Sequence, residues 1–359
     1  MRRSDAVAYS TETRVFPIDP NTPDHESIRI AADLIRQGKL VAFPTETVYG
    51  LGANALDAEA IDRIYRAKRR PASDPVIAHI SDMAQLEQLA HRIPSNAYEL
   101  AAAFWPGALT LVLQRAPHVP QNIATGLQTV AVRMPAHPVA QALIQAAGVP
   151  IAAPSANTFT HPSATTAEHV LLDLRDHVDL ILDGGQTQIG LESTVLDLTS
   201  ETPLVLRPGG VLLDDLKLII PDVKMIERYT NEDEPTSAPG QMLKHYSPKA
   251  EVTLFTGPLY SVLIAIRQMC LTYQEQGRRV GLLLAEEDCH HLGDVGVVFS
   301  LGKRADLKTI SHNLFVGLRE LDAQQVDVIL TRDFGRTGLG AALWDRLVRA
   351  AEGHVIKVR

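Results

Sequence analysis

At 359 residues the chain is long for a single hydrophobic core, so two domains of unequal size are expected. With 45% hydrophobic and 21% charged residues it has the composition of a globular protein, which excludes disorder as its theme. A formal net charge of -8 excludes a chain that coats nucleic acid through massed Lys and Arg, and leaves room only for a local basic site.

The first segment, MRRSDAVAYSTETRVF, has no apolar run of signal-peptide length, and no later run approaches a membrane span. Neither Cys270 nor Cys289 belongs to a C-x-x-C pair, so no disulfide framework or zinc site is suggested and a reducing cytoplasm is the expected setting. ESIRIAADLIRQGK repeats its apolar residues at helical spacing until Gly38, and the strand LVAFP follows. PVIAHI, LTLVL, TVAVRMP, VPIAAP, LILDGG and STVLDL, each bounded by Gly, Pro, Asn or Asp, read as buried strands. HPVAQALIQAAG, opened by Pro138 and closed by Gly148, reads as a helix. From Pro221 to Pro248 the polar, proline-punctuated run is a linker. Beyond it EVTLF, RRVGLLLA, VGVVFSLG and VDVIL alternate with helical patterns, which predicts a small parallel-sheet domain.

No G-x-x-x-x-G-K-S/T loop is present, so a bound nucleotide would not sit in the usual phosphate cradle. Gly50-x-Gly52-x-x-Ala55 and Gly338-x-Gly340 are weak matches to dinucleotide turns. Lys68, Arg69 and Arg70 end a helix before Pro71, where they either complement the helix dipole or clamp a polyphosphate. Arg133 and Arg207 each close an apolar strand, and stand either in structural ion pairs or at an anionic ligand. Ser155, Asn157, Ser193 and Thr194 suit turns and ligand hydrogen bonds alike; no G-x-S-x-G elbow marks a nucleophile. His79, flanked by apolar residues, reads alone as a core histidine, and Cys289-His290-His291 as an exposed loop.

FPTETVYGLGANA, AKRRPASDPVIAHI, WPGALTLVL, TVAVRMPAHP, PIAAPSAN, LDGG, GLESTVLDL and LRPG occur in this order. The run closely resembles the YrdC family of threonylcarbamoyl-adenylate synthases over about residues 15 to 210. APG-x-x-x-KHYSP, LFVGLRELDAQQVDVIL and GLGAALWDRLVRAA resemble the linker and C-terminal domain of the family's long form.

The resemblance implies an α/β protein: a twisted, open, largely parallel or mixed-sheet catalytic domain over residues 1–220, a linker and lid over 221–248, and a smaller Rossmann-like domain over 249–359. It implies a threonine site at Thr47, His79, Arg133, the backbone of Ala153, and Ser193. ATP is expected at Lys68, Arg70, Asp74, Thr129, Ser155, Asn157, Ser163, Arg207 and Tyr246, with Lys68 and Arg70 carrying the catalysis. Three positions depart from the family pattern. Arg69 adds a positive charge directed at solvent or phosphate, Asp74 stands where an amide is common, and Leu243 stands where related sequences have Tyr, so that a tyrosine lid contact is either missing or supplied by Tyr246.

The reaction implied joins L-threonine, bicarbonate or CO2, and ATP into threonylcarbamoyl-AMP and pyrophosphate. Mg2+ is carried by ATP and the protein supplies no metal ligand. The product passes in the cytoplasm to the tRNA threonylcarbamoyl transferase machinery, for threonylcarbamoyladenosine next to the anticodon. One rival is a binding module for double-stranded RNA or tRNA, an association of the fold; another is a carbamoyl-adenylating enzyme of hydrogenase maturation, whose zinc fingers two cysteines cannot supply.

Overall fold

The computed structural model describes residues 12–226, 243 and 245–359. In the N-terminal half the chain runs through β1 (Arg14–Pro17), α1 (His25–Arg36), β2 (Val41–Phe43), β3 (Gly50–Asn54), α2 (Ala58–Lys68), β4 (Ile77–His79), α3 (Met83–Leu89), α4 (Ser95–Phe104) and β5 (Leu109–Gln114). It continues with β6 (Thr129–Arg133), α5 (Pro138–Ala147), β7 (Ile151–Ala152), α6 (Ala167–Leu174), β8 (Leu180–Asp183), β9 (Thr194–Asp197), β10 (Leu204–Arg207), α7 (Leu213–Lys217) and β11 (Lys224–Met225). Capping explains where the helices that frame the site begin and end. Asp57 accepts from the backbone of Glu59 and Ala60 to start α2, and Arg69 closes it in the left-handed region at φ 54. His137 caps α5 ahead of Pro138, and Gly148 ends it at φ 69.

These strands form one sheet in the order β1-β8-β2-β3-β7-β4-β6-β5-β9-β10-β11. Pairing is parallel at β1–β8, β2–β8, β4–β6, β5–β9 and β10–β11, and antiparallel at β2–β3, β3–β7, β4–β7, β5–β6 and β9–β10. The sheet is therefore mixed, the second of the two expected arrangements rather than a largely parallel one. Its strands are short and buried on both faces, so alternation could not reveal their direction. Gly50 and Gly52 lie within β3, paired to β2, and form no dinucleotide turn. The stretch read as a linker and lid opens with β11, which extends the first sheet; residues 227–242 and Lys244, most of that expected lid, lie outside the described residues.

The second sheet comprises β12 (Glu251–Thr256), β13 (Val280–Leu284), β14 (Val297–Ser300), β15 (Val328–Arg332) and β16 (Val355–Lys357), all parallel, in the order β14-β13-β15-β12-β16. It is joined through α8 (Leu259–Glu275), α9 (Glu286–Leu292), α10 (Leu307–Ala323) and α11 (Leu339–Ala350). Cys289, His290 and His291 belong to α9 rather than to a loop. Three acids in its first turn and two histidines in its last complement the helix dipole, which outweighs their modest propensities.

The two halves share a core. Val48 and Leu191 of the first sheet's loops and Tyr246 of the linker pack into one buried cluster with Leu314, Phe315, Leu343 and Leu347 of α10 and α11. Each such side chain contributes about 1.5–3 kcal/mol of burial, so the halves are cemented rather than tethered. Gly190 permits the approach: a Cβ there would lie 2.6 Å from the Cα and carbonyl oxygen of His312, and its φ is 76.

Candidate active site

Strands ending at one edge of the first sheet deliver their last residues into a common cavity. His79 and Arg133 close the parallel pair β4 and β6 in direct register. Arg207 closes β10, the turn Ala153-Pro154-Ser155 follows β7, and Ser193 precedes β9. The loop between β2 and β3 brings Thr45 and Thr47, and Arg70 enters just past α2. His245 and Tyr246 complete the wall from the linker. Through the pairings of the mixed sheet β4, β6 and β10 run in the same direction, so His79, Arg133 and Arg207 at their C-terminal ends fall on the same edge.

At one end, Arg133 Nη1 donates to Thr47 Oγ1 at 2.8 Å, its Nε donates to the Gly107 carbonyl at 3.1 Å, and its Nη2 lies 2.5 Å from Glu46 Oε1. The guanidinium is thus fixed in orientation and its charge is partly met by a buried carboxylate. His79 sits beside it, its ring edge-on to Phe43 and its Nδ1 3.2 Å from the Ile77 carbonyl. Burial, aided by the Arg133 charge, lowers the His79 pKa to about 3, so its imidazole is neutral at ordinary pH.

A second part of the lining is built on Arg207, which donates through Nε and Nη2 to the Ser193 carbonyl at 3.2 and 3.0 Å, and Ser193 Oγ is in turn 2.7 Å from Thr110 Oγ1. Arg70 is held by the Asp74 carboxylate at 2.7 Å and by the carbonyls of Asp74 and Pro75 at 3.0 and 2.8 Å. A Cβ at Gly209 would lie 2.3 Å from the Glu192 carbonyl oxygen, so only glycine lets the end of β10 press against the loop carrying Ser193.

Of the residues expected at the site, Thr47, Arg70, His79, Arg133, Ala153, Ser155, Ser193, Arg207 and Tyr246 line the cavity. Lys68 lies behind it. Its Nζ donates to the carbonyls of Ser155, at 2.5 Å, and Asn157, so it braces the turn that faces the ligand space. Burial, and then the Arg70 charge, hold its pKa well below the usual lysine value. Asn157 supports the same turn by donating to the Thr158 and His161 carbonyls, and Ser163 donates to Glu192. Asp74 grips Arg70 from outside the cavity, where a carboxylate is the better partner for a cation than the more usual amide. Thr129 starts β6, roughly 13 Å along the strand from Arg133, and is not brought to the cavity. Arg69 points to solvent. Leu243 packs on the C-terminal core, and Tyr246 is the linker tyrosine at the cavity.

Sequence reasoning missed Glu46, Glu192 and His245. The first two sit in the same PTET and GLEST motifs as the residues it found, and a buried acid beside a found arginine is the signal that would have named them. His245 is fully enclosed, its ring centroid 4.0 Å from that of Tyr246, and burial holds it neutral. Tyr246 adopts φ 63, and burial together with the Glu192 charge pushes its hydroxyl up to about 12.

Residues 33–209 match the family model described as telomere recombination, that of the Sua5, YciO and YrdC proteins, and residues 213–352 match the model described as threonylcarbamoyl-AMP synthase, C-terminal domain. The chain is 47% identical to a threonylcarbamoyl-AMP synthase of Pyrococcus abyssi (strain GE5 / Orsay), over 92% of its own length and 96% of the relative's. It is 43% identical to one of Bacillus subtilis (strain 168), over 94% and 97% respectively. The crystal structure of P. abyssi Sua5 complexed with L-threonine superposes with a TM-score of 0.91 at 45% identity, covering 96% of this chain and 99% of that one.

Proposed function

The chain belongs to the threonylcarbamoyl-AMP synthase family, and from that membership we propose that it joins L-threonine, bicarbonate or CO2, and ATP into L-threonylcarbamoyl-AMP and pyrophosphate. The observation that carries the reading is one cavity whose lining holds an oriented Arg133 and Thr47 together with Arg70 and Arg207. The first pair suits an amino-acid carboxylate, and the second suits a polyphosphate.

Threonine binds with its carboxylate on Arg133, displacing part of that guanidinium's contact with Thr47, while the neutral His79 faces the side chain. The amine attacks CO2, forming the N–C bond and releasing a proton to solvent; from bicarbonate the same bond forms with loss of one water and no net release of a proton. A carbamate oxygen then attacks the α-phosphorus of ATP, and the bond to the β-phosphate breaks with its electrons leaving on pyrophosphate. No side chain need become covalently modified. Arg70 and Arg207, already held by carbonyls, offset the charge that develops on the phosphates, and the Lys68-braced turn of Ser155 keeps the nucleotide in line. Mg2+ enters with ATP on phosphate oxygens. The cavity's donor set fits that route, since its cations serve phosphate directly and its Glu192 carboxylate is tied to Ser163 and Arg346.

His245, Tyr246 and Ser247 support a lid role for the linker: Ser247 is bonded to Thr160 of one half at 2.7 Å and to Arg349 of the other at 3.3 Å. Deleting residues 238–359 should raise loss of the adenylate to water or lower turnover; unchanged kinetics reject the lid. The product then serves a tRNA threonylcarbamoyl transferase in the cytoplasm, a setting that two free cysteines suit and in which no membrane helix is needed; none of the described helices is long and apolar enough for one.

The test is pyrophosphate release from Mg-ATP with threonine and bicarbonate each present or omitted. Release requiring both is expected. Absence of release under every combination overturns the reading, and steeply salt-dependent RNA binding insensitive to threonine would replace it.

A further inference from the structure

Helix α11 buries three charged residues, Asp345, Arg346 and Arg349, although it belongs to the C-terminal half. Buried charges persist only where partners offset their desolvation. Asp345 and Arg349 satisfy each other one turn apart, at 2.9 and 3.1 Å. Arg346 reaches outward instead. Its side chain has no exposure, its Nε donates to Glu192 Oε2 at 2.8 Å, and its Nη1 donates to the Pro208 carbonyl at 2.9 Å and to Asp345 Oδ2 at 2.7 Å. Its guanidinium also lies 5.4 Å from the centre of the Tyr246 ring. Glu192 and Tyr246 both line the catalytic cavity, and Arg346 does not.

A carboxylate in the wall of a cavity that receives ATP opposes the nucleotide's phosphates unless its charge is cancelled. Ser163 donates one hydrogen bond to Glu192 and the Arg207 charge acts on it from the cavity lining, but the counter-charge in contact is Arg346, 2.8 Å away through the back of the wall and from the other domain. We propose that Arg346 is a positioning residue for ATP: by neutralising and orienting Glu192 it lets the C-terminal domain complete the electrostatics of the nucleotide end of the cavity. The proposal rests on the ATP-dependent reading above. It also gives the C-terminal domain a part in the reaction beyond shielding the adenylate.

Simple charge arithmetic makes the idea testable. The Glu192–Arg346 pair is neutral in the native chain. Arg346→Met leaves one negative charge at the wall, Glu192→Gln leaves one positive charge, and the double variant is neutral again. Asp345 keeps Arg349 in all three. The KM for ATP should rise by on the order of tenfold in R346M and fall or hold in E192Q, whereas the double variant should sit well below R346M. The KM for threonine, which binds as a zwitterion at the other end, should move far less. Loss of packing alone would instead make the double variant at least as poor as R346M, and would shift both KM values together.

The experiment measures both KM values by pyrophosphate release, alongside calorimetric binding of a non-hydrolysable ATP analogue with Mg2+ to the same full-length proteins. If wild-type protein binds the analogue but releases no pyrophosphate, the synthase reading fails while the binding series still tests the charge order. Should R346M not fold, E192Q and R346M/E192Q read the same pair against wild type: the first, with one extra positive charge, should bind the analogue at least as tightly, and the second, neutral again, about as tightly. A Glu192→Gln change that fails to improve ATP affinity in either Arg346 background overturns the proposal.

Discussion

Replacing His79 by Gln probes the neutral imidazole at the threonine end of the cavity. The ring is 4% exposed, faces the Ile77 carbonyl and lies beside Arg133, and burial with that charge takes its pKa from 6.5 to about 3. Between those values the unfolded chain binds a proton at this residue and the folded chain does not, so acid favours unfolding. The stabilising difference is fully present above the unfolded pKa and is lost as pH falls below it. Linkage gives a loss of about 2 kcal/mol from pH 8 to pH 5, and about 3 kcal/mol by pH 4. A glutamine fills similar space, can meet the carbonyl and does not titrate. Urea unfolding of the two proteins, followed by the fluorescence of Trp105 and Trp344, should therefore show stability curves that converge in acid by this amount relative to pH 8. Other histidines contribute equally to both curves and cancel. Parallel curves from pH 8 to pH 4 would refute the argument, because they would mean that His79 titrates alike in the folded and unfolded chains.

Arg133→Met should raise the KM for threonine by about 100-fold, through loss of charge-assisted hydrogen bonds, and lower stability by about 3–5 kcal/mol because Glu46 is left buried beside no cation; adding Glu46→Gln should restore much of the stability and none of the affinity, as read by thermal unfolding and by kinetics. Arg70→Met should lower kcat with little change in the KM for threonine, and should cost about 3 kcal/mol through the broken Asp74 ion pair, a cost that Asp74→Asn in the same chain reduces. Arg319 of α10 clasps Asp173 at 2.8 Å and the Pro162 carbonyl at 3.1 Å across the two halves. Burial works to raise the Asp173 pKa, but hydrogen bonds from His161 and Arg319 hold it well below its usual value, so this contact should persist from neutral pH down past the ordinary carboxylate range and fail only in stronger acid. Asp173→Asn should show faster amide exchange at residues 158–163 already at neutral pH, and equal exchange in the two proteins would contradict the role.

The elements legible in the sequence were those with local marks. Pro138 and Gly148 bracket α5, and the apolar runs ending in His79, Arg133 and Arg207 named the strands that feed the cavity. β3 was illegible because Gly50 and Gly52 dilute its pattern, and strand direction was illegible because both faces are covered. Lys68 was recognised as part of the site but not as a brace, since only the folded chain brings the carbonyls of Ser155 and Asn157, 87 and 89 positions away, onto its ammonium. Glu192, in the loop before β9, and Arg346, in α11, are 154 positions apart, a separation that no period or spacing can express. Thr129 carried a motif position without a place in the cavity, because the polypeptide runs the length of β6 before reaching Arg133.

Lys68, Arg70, Arg133 and Arg207 are each no more than 7% exposed in a chain whose net charge is -8. The cost of withdrawing four cations from water is therefore met during folding, by carbonyls at Gly107, Ser155, Asn157, Asp74, Pro75 and Ser193 and by the carboxylates of Glu46 and Asp74. Dipoles so fixed need not reorganise when phosphate charge shifts towards pyrophosphate, which is where preorganised electrostatics lowers a barrier. Carbonyl oxygens are suited to this task because they stabilise a cation without cancelling it, whereas a carboxylate facing the ligand would. The two acids beside the cavity obey that rule in different ways. Glu46 lies against Arg133 at the zwitterion end, where partial cancellation still leaves a site matched to one carboxylate. Glu192 stands at the polyanion end, where its charge must be met by Arg346 from behind. Helix α11 brings that buried cation against Glu192 from the second half, and the apolar cluster shared by the two halves holds it there.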